Sequence, residues 1–232
     1  MLSTKEMDTK TRFVNRLAHF LHKNRIILLT LLIASSVALV GYFIWTEWQR
    51  RTNEDSTLLA EEAQGLYQEW QLEADEENKK KLEEDLNSSL DLIINRYPRK
   101  YAVQRALFIR ADLCFDKEEW ETATENYQKL AGDFPKGYLA ALSLFNAAVC
   151  YEEMNDPDRA LELYRRTAEL YGESYLIPHA LFSLGRLYEQ KQDFENAISA
   201  YNRLETEYPF SNWTKAGRNR IIDVRIKGKT AQ

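Results

Sequence analysis

The chain has 232 residues, 44% hydrophobic and 29% charged, with a formal net charge of −5. This composition suits one or two compact domains and excludes a wholly disordered chain. Eight glycines and five prolines are too few for a turn-rich β fold. The charge is unevenly placed. Residues 1–25 hold Lys5, Lys10, Arg12, Arg16, Lys23 and Arg25 against Glu6 and Asp8, a balance of +4, which leaves 25 basic and 34 acidic residues, −9, for the remainder. An acidic body repels phosphates, so no nucleic acid is expected among its partners.

In the basic tail, residues 1–25, Phe13, Val14, Leu17, Phe20 and Leu21 stand at i, i+1, i+4, i+7 and i+8, one apolar stripe on a helix. Two readings stand: the stripe lies on the inner membrane surface, or it lengthens the helix that follows. Residues 26–46 are expected to cross a lipid bilayer. Ile26 to Trp45 carry no charge, and twenty residues rising about 1.5 Å each cover about 30 Å, the depth of a hydrocarbon core. Thr30, Ser35 and Ser36 can bond back to helix carbonyls. Tyr42, Trp45 and Trp48 gather at one end, where amphipathic rings suit the headgroup layer. The run is too long for the core of a cleaved signal and no A-x-A site follows it, so it reads as a retained anchor.

Six basic residues precede the apolar run and only Arg50 and Arg51 follow it closely. That bias keeps the N-terminus in the cytoplasm and sends the body across. The expected location is a bacterial inner (cytoplasmic) membrane, single-pass, with the body periplasmic. Ala34, Ser35, Ala38 and Gly41 fall near one helix face and permit close helix contact, which leaves homo-oligomerisation open.

Residues 47–98 read as a linker helix and a degenerate first helical hairpin. Leu59, Ala63, Leu66, Tyr67 and Trp70 form one apolar stripe; Leu82, Leu86, Leu90, Ile93 and Ile94 form a second. The polar stretch from Asp75 to Lys81 joins them.

Residues 99–211 align on themselves at a step of 37 without a gap: 101–137, 138–174 and 175–211. The recurring columns are Leu107, Leu144, Leu181; Phe108, Phe145, Phe182; Ala111, Ala148, Gly185; Ala123, Ala160, Ala197; and Tyr127, Tyr164, Tyr201. A fixed step of this size signals a solenoid of stacked two-helix units. The small residues at 111, 148 and 185 let two helices cross closely, and those at 123, 160 and 197 do the same on the second helix. The tyrosines follow the second small column by four residues, on the same face, and are expected to fill space between hairpins with their hydroxyls toward water. Pro135, Gly172 and Pro209 end the second helices. Asp156 and Asp193 are candidate N-caps between the two helices of a unit. Residues 212–232 complete the chain as a basic closing helix, Trp213 to Ile226, and a tail, as an exposed solenoid end requires. The expected fold class is all-α: a single N-terminal transmembrane helix followed by an α-solenoid.

Leu184-Gly185, Tyr188, Phe194, Ala197, Tyr201 and Pro209 together resemble the tetratricopeptide repeat. With its anchor, the chain is similar to the family that holds the ancillary subunit of the Sec translocon and the periplasmic cell-division coordinator. The resemblance implies a right-handed superhelix of helical hairpins that binds proteins on the face lined by the first helices. The implied partners are Sec translocon subunits, periplasmic chaperones or envelope proteins; the alternative is an envelope-assembly or cell-division adaptor. The bilayer is a further contact, through residues 26–46.

Mapped onto these first helices, the groove-facing candidates are Arg105, Phe108, Asp112, Phe145, Val149, His179, Phe182 and Arg186. In one reading Phe108, Phe145 and Phe182 form a ladder that grips an apolar segment, with charges setting its register. In the other the rings turn into the core, or the first hairpin or the closing helix covers them. His179 has no second histidine or suitable cysteine at metal spacing, so no metal is expected. Cys114 and Cys150 fall on packed helices whose axes stand about 8–10 Å apart, too far for easy bridging. The chain has no Gly-rich phosphate loop, G-x-S-x-G or H-E-x-x-H. Neither enzymatic activity nor a cofactor is expected.

Overall fold

The computed structural model describes residues 4–98 and 100–230. The extreme ends of the expected basic tail, 1–3, and of the closing segment, 231–232, lie outside the described residues, as does residue 99. Among the described residues there are ten α-helices and no strand. The chain divides into two units, Met1–Glu54 and Asp55–Gln232.

The first unit contains α1 (Thr4–Lys23) and the opening part of α2 (Arg25–Leu72). Helical bonding runs through the junction. Asn24 donates its N–H to the Phe20 carbonyl (3.0 Å), and Leu28 donates to the Asn24 carbonyl (2.9 Å). Among the described residues, α2 is the one helix long and apolar enough to cross a bilayer. Its large apolar side chains from Ile26 to Trp48 are mostly exposed. The Thr30 and Ser35 hydroxyls donate to the carbonyls three residues earlier, at 2.8 and 2.9 Å, so neither needs an outside partner. Past the apolar run, Arg50 and Arg51 both pair with Glu47, at 2.9 and 2.8 Å. Their hydrogen bonds push its carboxyl down to about 2.

In the second unit the last turns of α2 pack on α3 (Glu76–Arg96): Ala60, Ala63, Tyr67 and Trp70 share one buried cluster with Leu86, Leu90 and Ile93. Asp75 caps α3 by accepting from Asn78 N–H at 2.9 Å. Three further hairpins follow: α4 (Tyr101–Asp116) with α5 (Trp120–Asp133), α6 (Ala140–Glu153) with α7 (Pro157–Leu170), and α8 (Ile177–Gln190) with α9 (Phe194–Glu207). Helix α10 (Asn212–Thr230) packs on α8 and α9. We call the first helix of each hairpin A and the second B.

The turn from A to B is built the same way three times. Glu118, Asn155 and Gln192, each 37 residues from the next, take φ of 61°, 54° and 61°. The N–H of each bonds back three residues, and the N–H of the following residue bonds back five, as Glu119 does to Cys114 O at 2.8 Å. This paired pattern is the Schellman motif, which satisfies the last carbonyls of helix A. The residue after each left-handed position is the N-cap of helix B; Asp156 accepts from Arg159 N–H at 3.1 Å and Asp193 from Asn196 N–H at 3.2 Å, whereas Glu119 makes no side-chain cap bond.

Ala111, Ala123, Ala148, Ala160 and Ala197 are completely buried, and Tyr127, Tyr164 and Tyr201 nearly so. Burying each ring contributes about 2 kcal/mol. A Cβ on Gly185 would run into the Tyr201 ring, so the glycine lets that ring lie closer to helix A than alanine allows. Cys114 and Cys150 are buried and unbridged, and burial pushes both thiols up to about 11.

Candidate functional site

The A helices α4, α6 and α8 carry all eight residues singled out from the sequence. Each ring of the phenylalanine ladder packs against the tyrosine of its own repeat. Phe108 lies 5.7 Å from Tyr127, Phe145 lies 5.1 Å from Tyr164 and Phe182 lies 5.7 Å from Tyr201, between ring centres. Phe145 is buried; Phe108 and Phe182 are half-buried. At the last repeat an aromatic pile forms. Trp213 of α10 stacks on His179 at 3.9 Å with ring planes 8° apart, and lies 5.1 Å from Phe182. His179 also reaches Phe145, at 4.6 Å. Burial, with Arg186 nearby, lowers the His179 pKa and favours its neutral form. Arg105 and Val149 are half-buried.

The tyrosine hydroxyls depart from the expectation that they face water: each donates to a carboxylate on the A helix of its own repeat. Tyr127 bonds to Asp112 at 2.5 Å, Tyr164 to Glu152 at 2.7 Å and Tyr201 to Glu189 at 2.8 Å. A hydroxyl this deep cannot be left unpaired without a cost of about 1–3 kcal/mol, and a carboxylate one helix away is the nearest strong acceptor. All three phenols are shifted upward, by burial first and then by the hydrogen bond to, and the charge of, the neighbouring carboxylate.

In the second and third repeats the acid also holds a cation. Glu152 accepts from the Arg186 guanidinium on the next A helix. Glu189, almost fully buried, accepts from Arg220 of α10 through two bonds, 2.9 and 2.5 Å. The two pairs join α6 to α8 and α8 to α10. In the first repeat Phe115 occupies the column of Glu152 and Glu189, and the acid stands one turn earlier, at Asp112. Burial raises the Asp112 carboxyl to about 6; the bond from Tyr127 opposes the rise and the Asp116 charge adds to it.

The sequence singled out Asp112 and Arg186 and gave no role to Glu152 and Glu189, which fall on the same helix face, or to Asp116 and Arg220. A signal for two of these was present, since Glu152 and Glu189 each precede a column tyrosine by twelve residues. No group of three or more metal-ligating side chains occurs among the described residues.

The family model described as tetratricopeptide repeat matches residues 110–174 and 145–212. Residues 110–212 carry tetratricopeptide repeats. Solved structures agree on the fold. BtubC from P. vanneervenii superposes with a TM-score of 0.52 at 14% identity, covering 77% of this chain and 91% of that one. The putative kinesin light chain TPR-like repeats of Podosopora anserina give 0.53 at 10% identity, covering 78% and 89%. A signal transduction ATPase with a tetratricopeptide repeat sensor from Pyrococcus horikoshii gives 0.54 at 16%, covering 76% of this chain but only 27% of its own length. At these identities the likeness is one of fold alone. No curated protein matches the chain. The tetratricopeptide repeats make it a protein–protein interaction scaffold.

Proposed function

We propose that this scaffold is non-catalytic and held in a bacterial inner membrane by residues 26–46. Its tail is cytoplasmic and its repeats are periplasmic, where they bind components of the Sec translocation and periplasmic chaperone network. The observation that carries the reading is the order of features along one chain: a basic tail, an uncharged exposed apolar helix, and then interaction repeats. The pairing of Arg50 and Arg51 with Glu47 supports the orientation, because the charge bias then falls on the tail side. The face built from the A helices is the binding face of this reading.

Two measurements test it. In spheroplasts, external protease is expected to cut sites beyond residue 55 and spare the tail; the reverse pattern overturns the topology. A photo-crosslinking residue at Arg105, Val149 or Arg186, used in native membranes, is expected to capture translocon subunits and periplasmic chaperones. Capture of only division or outer-membrane assembly proteins moves the chain to the adaptor alternative, and capture of none of these sinks both.

A further inference from the structure

The first repeat holds a cavity of about 280 Å³ around Asp112, walled by Tyr67, Phe115, Tyr127 and Val149, with Asp116 at its rim. That volume falls just below the range of pockets for whole small molecules and suits one side-chain head group. The Tyr67 hydroxyl, on the last turns of α2, donates to Asp116 at 2.7 Å, and the Gln71 amide donates to the same oxygen at 2.8 Å. Tyr127 donates to Asp112. Two carboxylates are thus oriented by neutral donors, and among the described residues no cation pairs with Asp112.

The other two repeats show what such a place holds. Beside Tyr164, Glu152 carries Arg186; beside Tyr201, Glu189 carries Arg220. Arg186 of the third repeat stands 37 residues after Val149 of the second, so beside the first repeat's acid a valine occupies the position from which an arginine reaches the second repeat's acid. The chain fills two of three related sites with its own arginines and leaves the third lined with acid and aromatic rings.

We propose that this cavity receives an arginine side chain presented by a partner protein, its guanidinium taking the place beside Tyr127 that Arg186 takes beside Tyr164. The assignment rests on the A-helix face being the partner-binding face. Arginine fits better than lysine: its planar fork can bond Asp112 and Asp116 together, and its flat cation stacks on the rings of Tyr67 or Phe115. Desolvation of Asp112, seen in its raised pKa, is relieved when a cation arrives.

The test uses the full chain in lipid nanodiscs and two blocked pentapeptides, Gly-Ala-Arg-Ala-Gly and the same peptide with norleucine for arginine. The readout is the NMR shift of the Asn146 side-chain amide, which borders the cavity. The arginine peptide is expected to give a saturable shift and the norleucine peptide none. Asp112→Asn is expected to weaken binding at least tenfold. Val149→Arg, which supplies the missing guanidinium from within, is expected to abolish it while raising the melting temperature. Equal shifts from both peptides, or undiminished binding to either variant, overturn the proposal. Photo-crosslinking of partners that persists in Asp112→Asn and Val149→Arg, with no arginine-dependent shift in the wild type, removes the arginine site and leaves the scaffold reading in place. Arginine-dependent binding with no partner captured does the reverse.

Discussion

The first tetratricopeptide repeat and the two that follow share a backbone and differ in how they neutralise a buried acid. In the second and third repeats a tyrosine, a glutamate and an arginine close on one another across three helices. In the first, tyrosine and aspartate meet without an arginine. Helical repeats need only matching columns to stack, so polar positions on the A helices are free to diverge once the tyrosine has an acceptor. The difference shows which parts of the repeat are architecture and which are available for recognition.

The most severe way to break the comparison is to remove its common member. Tyr164→Ala leaves a cavity between α6 and α7 and is expected to cost about 3–5 kcal/mol, read as the fall in urea midpoint; a loss below about 1 kcal/mol would show that the ring is not the keystone of its hairpin. Asp112→Asn should act in the opposite direction at neutral pH. The folded-state pKa of Asp112 is raised from 3.8 to about 6, so the folded chain holds a proton that the unfolded chain has released. This group's contribution is therefore most favourable below pH 4 and is lost as pH rises through 6. The asparagine variant is expected to gain about 1–2 kcal/mol at pH 7 and to remove that part of the pH slope. An unchanged slope of stability between pH 4 and 6 would refute the assignment. Arg186→Met converts the second repeat to the condition of the first. A loss of about 1 kcal/mol is expected, read as the fall in urea midpoint; an unchanged midpoint would mean that the Arg186–Glu152 pair adds nothing to the stacking of α6 on α8. The smallest effect is at the turns. Gln192→Gly relieves a side chain held at positive φ and should add about 0.5–1 kcal/mol; a loss instead would show that the Gln192 side chain contributes contacts of its own.

The repeat itself was legible because its columns are small or aromatic at an unbroken step of 37, and close helix crossing tolerates little else at positions such as Ala123, Ala160 and Ala197. The left-handed turns were not. Only Asn155 has a side chain that favours positive φ; Glu118 and Gln192 are placed there by the bonds of the turn and by the packing of the two helices it joins. The orientation of the phenylalanine ladder was open for a physical reason. An A helix is covered by its own B helix and by neighbouring hairpins, so an apolar residue fits most of its circumference. What turns Phe182 into an aromatic pile is Trp213, thirty-one residues onward in a helix outside the 37-residue alignment. Of the acids in the tyrosine pairs, Glu152 and Glu189 were hidden by abundance: among 36 Asp and Glu in the chain nothing but the hydroxyls of Tyr164 and Tyr201 marks them out.

The tight A-to-B links have a practical consequence for anyone handling the protein. Only residues 117–119, 154–156 and 191–193 separate the paired helices, and nearly every one is committed to a carbonyl or a cap. Extra chain inserted there has nowhere to go without unwinding a helix end. The links from one hairpin to the next, 134–139 and 171–176, are twice as long, and Tyr175 in the second is largely exposed, although Leu176 beside it is buried. Epitope tags, fluorescent labels and protease sites belong at 173–175, short of the buried Leu176.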